Sequence, residues 1–83
     1  MKIRFHPHAL MRMKERGTTK EEVTKTILEG ESFPAKFERI GFRRNFRFDE
    51  QWKNKTYETK QVEAYTVLEN EDVVVITVIT KYF

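Results

Sequence analysis

Two hydrophobic periods divide the chain. Apolar positions recur at helical spacing up to about residue 30, and from residue 37 onward they alternate. Between residues 7 and 16, Ala9, Leu10 and Met13 project onto one helix face. His8, Arg12 and Arg16 form a stripe along its edge. Pro7 suits a first helical turn, where its missing N–H is not needed, and Gly17 suits the left-handed residue that follows a helix. "TTKEE" opens a second helix, with Thr19 and Glu22 spaced as a capping box. Val23, Ile27 and, less regularly, Leu28 give its buried side. Gly30 ends it, and Pro34 prevents its return. The pair reads as a helical hairpin with a very short turn. Ahead of it, "KIRF" (2–5) alternates as a short edge strand.

In "FERIGFRRNFRF", Ile40, Phe42, Phe46 and Phe48 share one strand face, and Arg39, Arg43 and Arg47 share the other. Arg44 breaks the pattern by falling in register with the phenylalanines. "DEQWKNK" (49–55) reads as a polar turn region. "KQVEAYTVLE" places Val62, Ala64, Thr66 and Leu68 inward, with Gln61, Glu63, Tyr65 and Glu69 opposite. "NED" (70–72) is a hairpin turn, and "VVVITVIT" (73–80), apolar on both faces, marks a central strand. The expected fold is α+β in the order β-α-α-β-β-β, two helices on one face of a small antiparallel sheet. With 83 residues, 1–83 form a single domain. A chain of this size buries roughly 60–65% of its unfolded surface, so any site must lie on one small unit.

Charge changes this picture locally. The net charge is +3, and residues 36–47 concentrate Lys36, Arg39, Arg43, Arg44 and Arg47 against the single acid Glu38. A clustered positive strand favours an anionic partner. Alternate arginines sit about 7 Å apart, near the phosphate spacing of a nucleic-acid strand; the other reading is a solvated sheet face. The absence of cysteine excludes disulfides, thiolate zinc sites and a cysteine nucleophile. There is no apolar run of signal-peptide or membrane-span length, so the expected location is cytoplasmic, with no membrane partner.

The helix stripe is the first candidate for chemistry. Arginine offers phosphate a permanent, forked set of donors, and histidine exchanges a proton near neutral pH. His8 with Arg12 one turn on would place both at one phosphodiester. Alternatively these are edge residues that pair with acids or lie along the core. Arg44 must reach an acid, line a wet cleft, or be turned outward by a bulge at Gly41 or Asn45. Lys60, at the start of an inward-facing strand, is either a phosphate contact or base, or a lysine whose stem lies along the core. Trp52, Tyr57 and Tyr65 are candidate base-stacking rings, or ordinary packing. Metal is the runner-up chemistry: His6 and His8 with Glu15 are a conceivable divalent-ion site, disfavoured by Pro7 between the histidines and by the lack of a fourth strong ligand. No cofactor or metal is expected.

The order "HALMRMKERG", a capped second helix, then "KQVEAYTVLENEDVVVITVITKYF" resembles a widespread family of small bacterial and archaeal domains of unknown function. That family looks distantly related to the RelE/ParE-like toxins, metal-independent ribonucleases and gyrase poisons. The resemblance marks His8, Arg12, Arg16, Gly17, Lys60 and Thr77. It implies a basic residue as proton acceptor, arginines on the scissile phosphate, and a lysine or tyrosine near the leaving group. The last strand has no basic residue before Lys81, and Thr18 stands where isoleucine is typical. The expected function is RelE-like RNA cleavage or RNA binding. His8, Arg12 and Lys60 would be catalytic, and Arg16, Arg39, Arg43, Arg44 and Arg47 would hold phosphate. The alternative is a non-catalytic module that binds nucleic acid or protein. The expected partners are RNA or the ribosome, a small antitoxin protein, and a second copy paired through an exposed edge strand.

Overall fold

The computed structural model describes residues 2–83. The elements are β1 (Ile3–Phe5), α1 (Pro7–Arg16), α2 (Lys20–Glu29), β2 (Glu31–Pro34), β3 (Ile40–Trp52), β4 (Lys55–Glu69) and β5 (Asp72–Tyr82). The α+β class and the two-helix layer stand as expected. The strand order gains β2, and the sheet is mixed rather than antiparallel. Its order is β1-β5-β4-β3-β2, with β1 parallel to β5 and every other pair antiparallel.

Caps fix both helices. The backbone N–H of His8 donates to the His6 imidazole, so His6 is the N-cap ahead of Pro7. Gly17 ends α1 in the left-handed region at φ 74°. A Cβ there would collide with the Trp52 ring, so glycine is required twice over. Thr19 and Glu22 form the expected capping box. The helices meet at a short corner and pack mainly on the sheet rather than on each other, so the pair is not a tight hairpin. Helix α1 lies over β5, and α2 lies over β4 and β3. Ala9, Met13, Val23 and Ile27 bury against Val62, Ala64, Val73, Val75 and Val78. Leu28 is 66% exposed. Thr26 is buried in its place, its hydroxyl donating to the Glu22 carbonyl.

The "DEQWKNK" segment is mostly strand. Only Lys53 and Asn54, both at positive φ, make the turn between Trp52 and Lys55. Asn70 and Glu71 turn the β4–β5 hairpin in the same way. The register of β3 on β4 runs unbroken from Ile40 to Arg47 and shifts only between Arg47 and Glu50. No bulge therefore turns Arg44 away from the helix side. A second irregularity between Tyr65 and Thr66 inserts Ile76 of β5, so Val75 and Val78 both face the helices while Thr77, Ile79 and Lys81 face away. The sheet face opposite the helices is bare.

Candidate functional site

Lys60 is 6% exposed and sits under the α1–α2 corner. Its ammonium donates to the Gly17 carbonyl at 3.0 Å and to Glu22 Oε1 at 2.8 Å. The same Glu22 oxygen accepts from the Thr18 hydroxyl at 2.9 Å and the Thr19 N–H at 3.3 Å. Tyr82 and Thr80 complete the corner by donating to the Arg16 carbonyl, at 2.7 and 2.9 Å. The unpaired carbonyls at the end of α1 are thus closed by side chains from β4 and β5. Trp52 stacks on Tyr82 with centroids 5.0 Å apart, and Phe48 and Tyr57 pack around that ring. Burial raises the Tyr82 phenol above the usual tyrosine value; the hydrogen bond with Thr80 opposes that and the Glu22 charge adds to it.

His8 lies at the other end of α1, about 13 Å from Gly17 at 1.5 Å per residue. It is exposed, and its Nε2 accepts a long 3.4 Å bond from Arg12 Nε. Arg12 also pairs with Glu15 at 2.9 Å. The backbone carbonyl of Arg16 belongs to the corner, and among the described residues no acid pairs with its guanidinium. Arg44 reaches Glu29 at the end of α2 at 3.4 Å, with its guanidinium 4.5 Å from the Phe46 ring centroid. His8 with Arg12, Lys60, and Arg44 therefore occupy three separate places. The structure does not bring them to one cleft.

The arginine row of β3 faces the bare side but is largely neutralised. Arg43 forks onto Glu31, with its Nη2 at 2.8 Å and Nε at 2.9 Å from one carboxylate oxygen. Arg47 pairs with Asp49, which holds its pKa above the usual arginine value through a hydrogen bond and charge. Arg39 lies 5.7 Å over the Phe37 ring, and no acid pairs with it or with Lys36 among the described residues.

These two cations rim an open groove of about 460 Å³ on the bare face, lined by Phe33, Phe37, Tyr65 and Ile79. The volume falls within the range of small-molecule pockets. Phe33 lies directly on Gly41, where any Cβ would strike its ring. It also meets Tyr65 edge-on, with centroids 5.9 Å apart at 84°. Arg43 covers the Phe33 ring at 4.7 Å. Tyr65 donates its hydroxyl to Glu63 at 2.9 Å, and Lys81 reaches the second Glu63 oxygen at 3.2 Å. Glu63 is only 4% exposed although it is on the helix-free face, because these side chains cover it. Burial raises the Tyr65 phenol, the Glu63 hydrogen bond and charge add to that, and Arg43 opposes it. A larger concavity of about 550 Å³ at the β3 irregularity is lined by Asp49 and Glu58 as well as Arg47, so it suits a polyanion less.

Sequence reading singled out Arg39, Arg43 and Tyr65 but missed the groove. Its signal was Gly41 inside an alternating strand, a mark of close approach by another group. A scan of family models matches residues 5–80 to one described as "Domain of unknown function (DUF4258)". No curated protein and no solved structure matches.

Proposed function

The chain belongs to this family, Domain of unknown function (DUF4258), and for it we propose a non-catalytic module that binds nucleic acid through the bare face of its sheet. One observation carries the reading: aromatic side chains and two cations without an acid partner among the described residues, Lys36 and Arg39, line a single open groove. Rings take the faces of bases, and the cations take phosphate. Lys60 gives no support to catalysis, since its amine already holds two acceptors. The test is fluorescence anisotropy with short RNA and DNA across a salt series. Two or three phosphate contacts give a slope of log K against log salt of roughly −1.5 to −2. Lys36→Glu with Arg39→Glu removes binding. Arg43→Glu weakens it less, because Glu31 already neutralises Arg43. Binding that ignores both salt and the double variant refutes the proposal.

The second reading is metal-independent RNA cleavage, and the His8–Arg12 pair favours it. The exposed imidazole and the guanidinium stand side by side, a proton-exchanging group next to a phosphate donor, and the long bond from Arg12 Nε must open to free the Nε2 lone pair. It expects cutting in EDTA that is lost in His8→Ala and Arg12→Ala without loss of helix signal. RNA left intact, free and on ribosomes, removes it.

A further inference from the structure

One wall of the groove is the turn that joins β2 to β3. Phe37 and Glu38 are consecutive non-glycine residues in the left-handed region, at φ 60° and 59°. The pair makes a two-residue left-handed turn between β2 and β3, as Lys53–Asn54 and Asn70–Glu71 do in the other hairpins, with a phenylalanine where asparagine or glycine is usual. The loop is closed on either side of this pair. The Ala35 N–H donates to the Arg39 carbonyl at 3.0 Å, and the Arg39 N–H donates to the Lys36 carbonyl at 3.3 Å. The result does not bury Phe37. Its side chain is 82% exposed, with the Arg39 guanidinium over its ring. The opposite wall is fixed: Phe33 rests on Gly41 and against Tyr65, and Tyr65 is held by Glu63. A largely exposed ring thus stands across a concavity from rings already held in place.

We infer that this groove takes one unstacked base of a single-stranded nucleic acid, with Phe37 on its outer side, Phe33 and Tyr65 on its inner side, and Lys36 and Arg39 on the flanking phosphates. The inference rests on the nucleic-acid reading above and names its substrate class. The groove accepts the flat π-face of any base. A duplex offers groove edges and keeps its bases stacked, so its bases cannot enter a concave site without being flipped out. The charge at the rim selects a polyanion over an apolar peptide, and the mostly apolar lining, with Phe33, Phe37 and Tyr65 in it, selects a base over a phosphate alone.

The test uses the full chain with a twelve-nucleotide single-stranded RNA, the same sequence as DNA, and the RNA duplex, each carrying one 2-aminopurine. The single strands are expected to bind at least tenfold more tightly than the duplex, with a change in 2-aminopurine emission on binding. Phe37→Ala, at an exposed position, is expected to keep the circular dichroism of the parent, lose at least fivefold in single-strand affinity and abolish the emission change. Phe37→Trp is expected to retain both. The RNA and DNA arms tell which strand is preferred; binding of either sustains the inference. Equal binding of duplex and single strand, or unchanged binding by Phe37→Ala, overturns the unstacked-base site and leaves the bare-face reading standing. A dimer that Phe37→Ala converts to monomer makes the groove a contact between copies and also overturns it. No binding of any nucleic acid overturns both.

Discussion

Lys60 shows what a lysine on an inward strand position can do when acceptors lie within reach. Its stem runs under the helix corner and its ammonium joins a backbone carbonyl to a capping carboxylate. Replacing it with methionine removes the positive partner of Glu22 and leaves the Gly17 carbonyl without its donor. The expected loss is roughly 2–3 kcal/mol, at the low end for a buried pair because Glu22 is partly exposed. Urea unfolding of Lys60→Met measures it, and an unchanged midpoint would contradict the assigned role. Individual partners of this kind were hard to read from the sequence. The anomaly at Arg44 was legible, since an arginine among inward phenylalanines needs an acid. Which acid was not: Glu29 comes from another element, and only the β3 register brings it near. Glu63 is a similar case. Alternation placed it on the helix-free face, where a carboxylate is normally wet. Its burial depends on Tyr65 and Lys81, which the pattern does not connect.

Local signals sufficed at the scale of elements wherever a cap or turn had a chemical signature. Pro7, Gly17 and the Thr19–Glu22 box each lie where their chemistry requires, and the turn expected at residues 70–72 forms at Asn70–Glu71, with Asp72 already in β5. Gly17→Ala tests the best of these. The change forces a Cβ into a left-handed residue and into the Trp52 ring, and should cost roughly 2 kcal/mol. A thermal melt reads the loss, and the Trp52 emission should shift as its stack on Tyr82 loosens. Strand β2 escaped notice because "ESFP" is four residues long, ends in proline and does not alternate in burial. The outer half of β3 escaped for another reason. Beyond Phe48, Asp49, Glu50 and Gln51 are all polar and carry no apolar period, and the ladder to β4 with the Trp52 stack on Tyr82 holds the strand extended.

The layer architecture of the whole molecule sets where function can lie. Two helices cover one side of a five-stranded sheet, and the uncovered side keeps its aromatic groove and the cations at its rim. Among the described residues no helix is long and apolar enough to cross a membrane. The same architecture predicts an alkaline limit to stability. Tyr65 on the bare face and Tyr82 at the corner both have pKa values raised above 10.0, chiefly by burial. The unfolded chain loses these protons first as pH rises, so the folded state binds more protons above pH 10. The stability that they contribute is full below the unfolded value near 10 and is lost as pH climbs through the folded values. Urea titrations between pH 8 and 11 should show this fall, and Tyr82→Phe should flatten part of it. A fall that is identical in Tyr82→Phe and Tyr65→Phe would assign the limit to other groups.

The central claim is that the bare face, not the histidine-bearing helix, meets the ligand. The most direct measurement is a ¹⁵N-edited NMR titration of the full chain with short single-stranded RNA, following each backbone amide. The account predicts shifts concentrated at Phe33, residues 35–39, Gly41, Tyr65, Thr77 and Ile79, with His8 and Arg12 unmoved. Shifts centred on His8 and Arg12, with the groove silent, would contradict it.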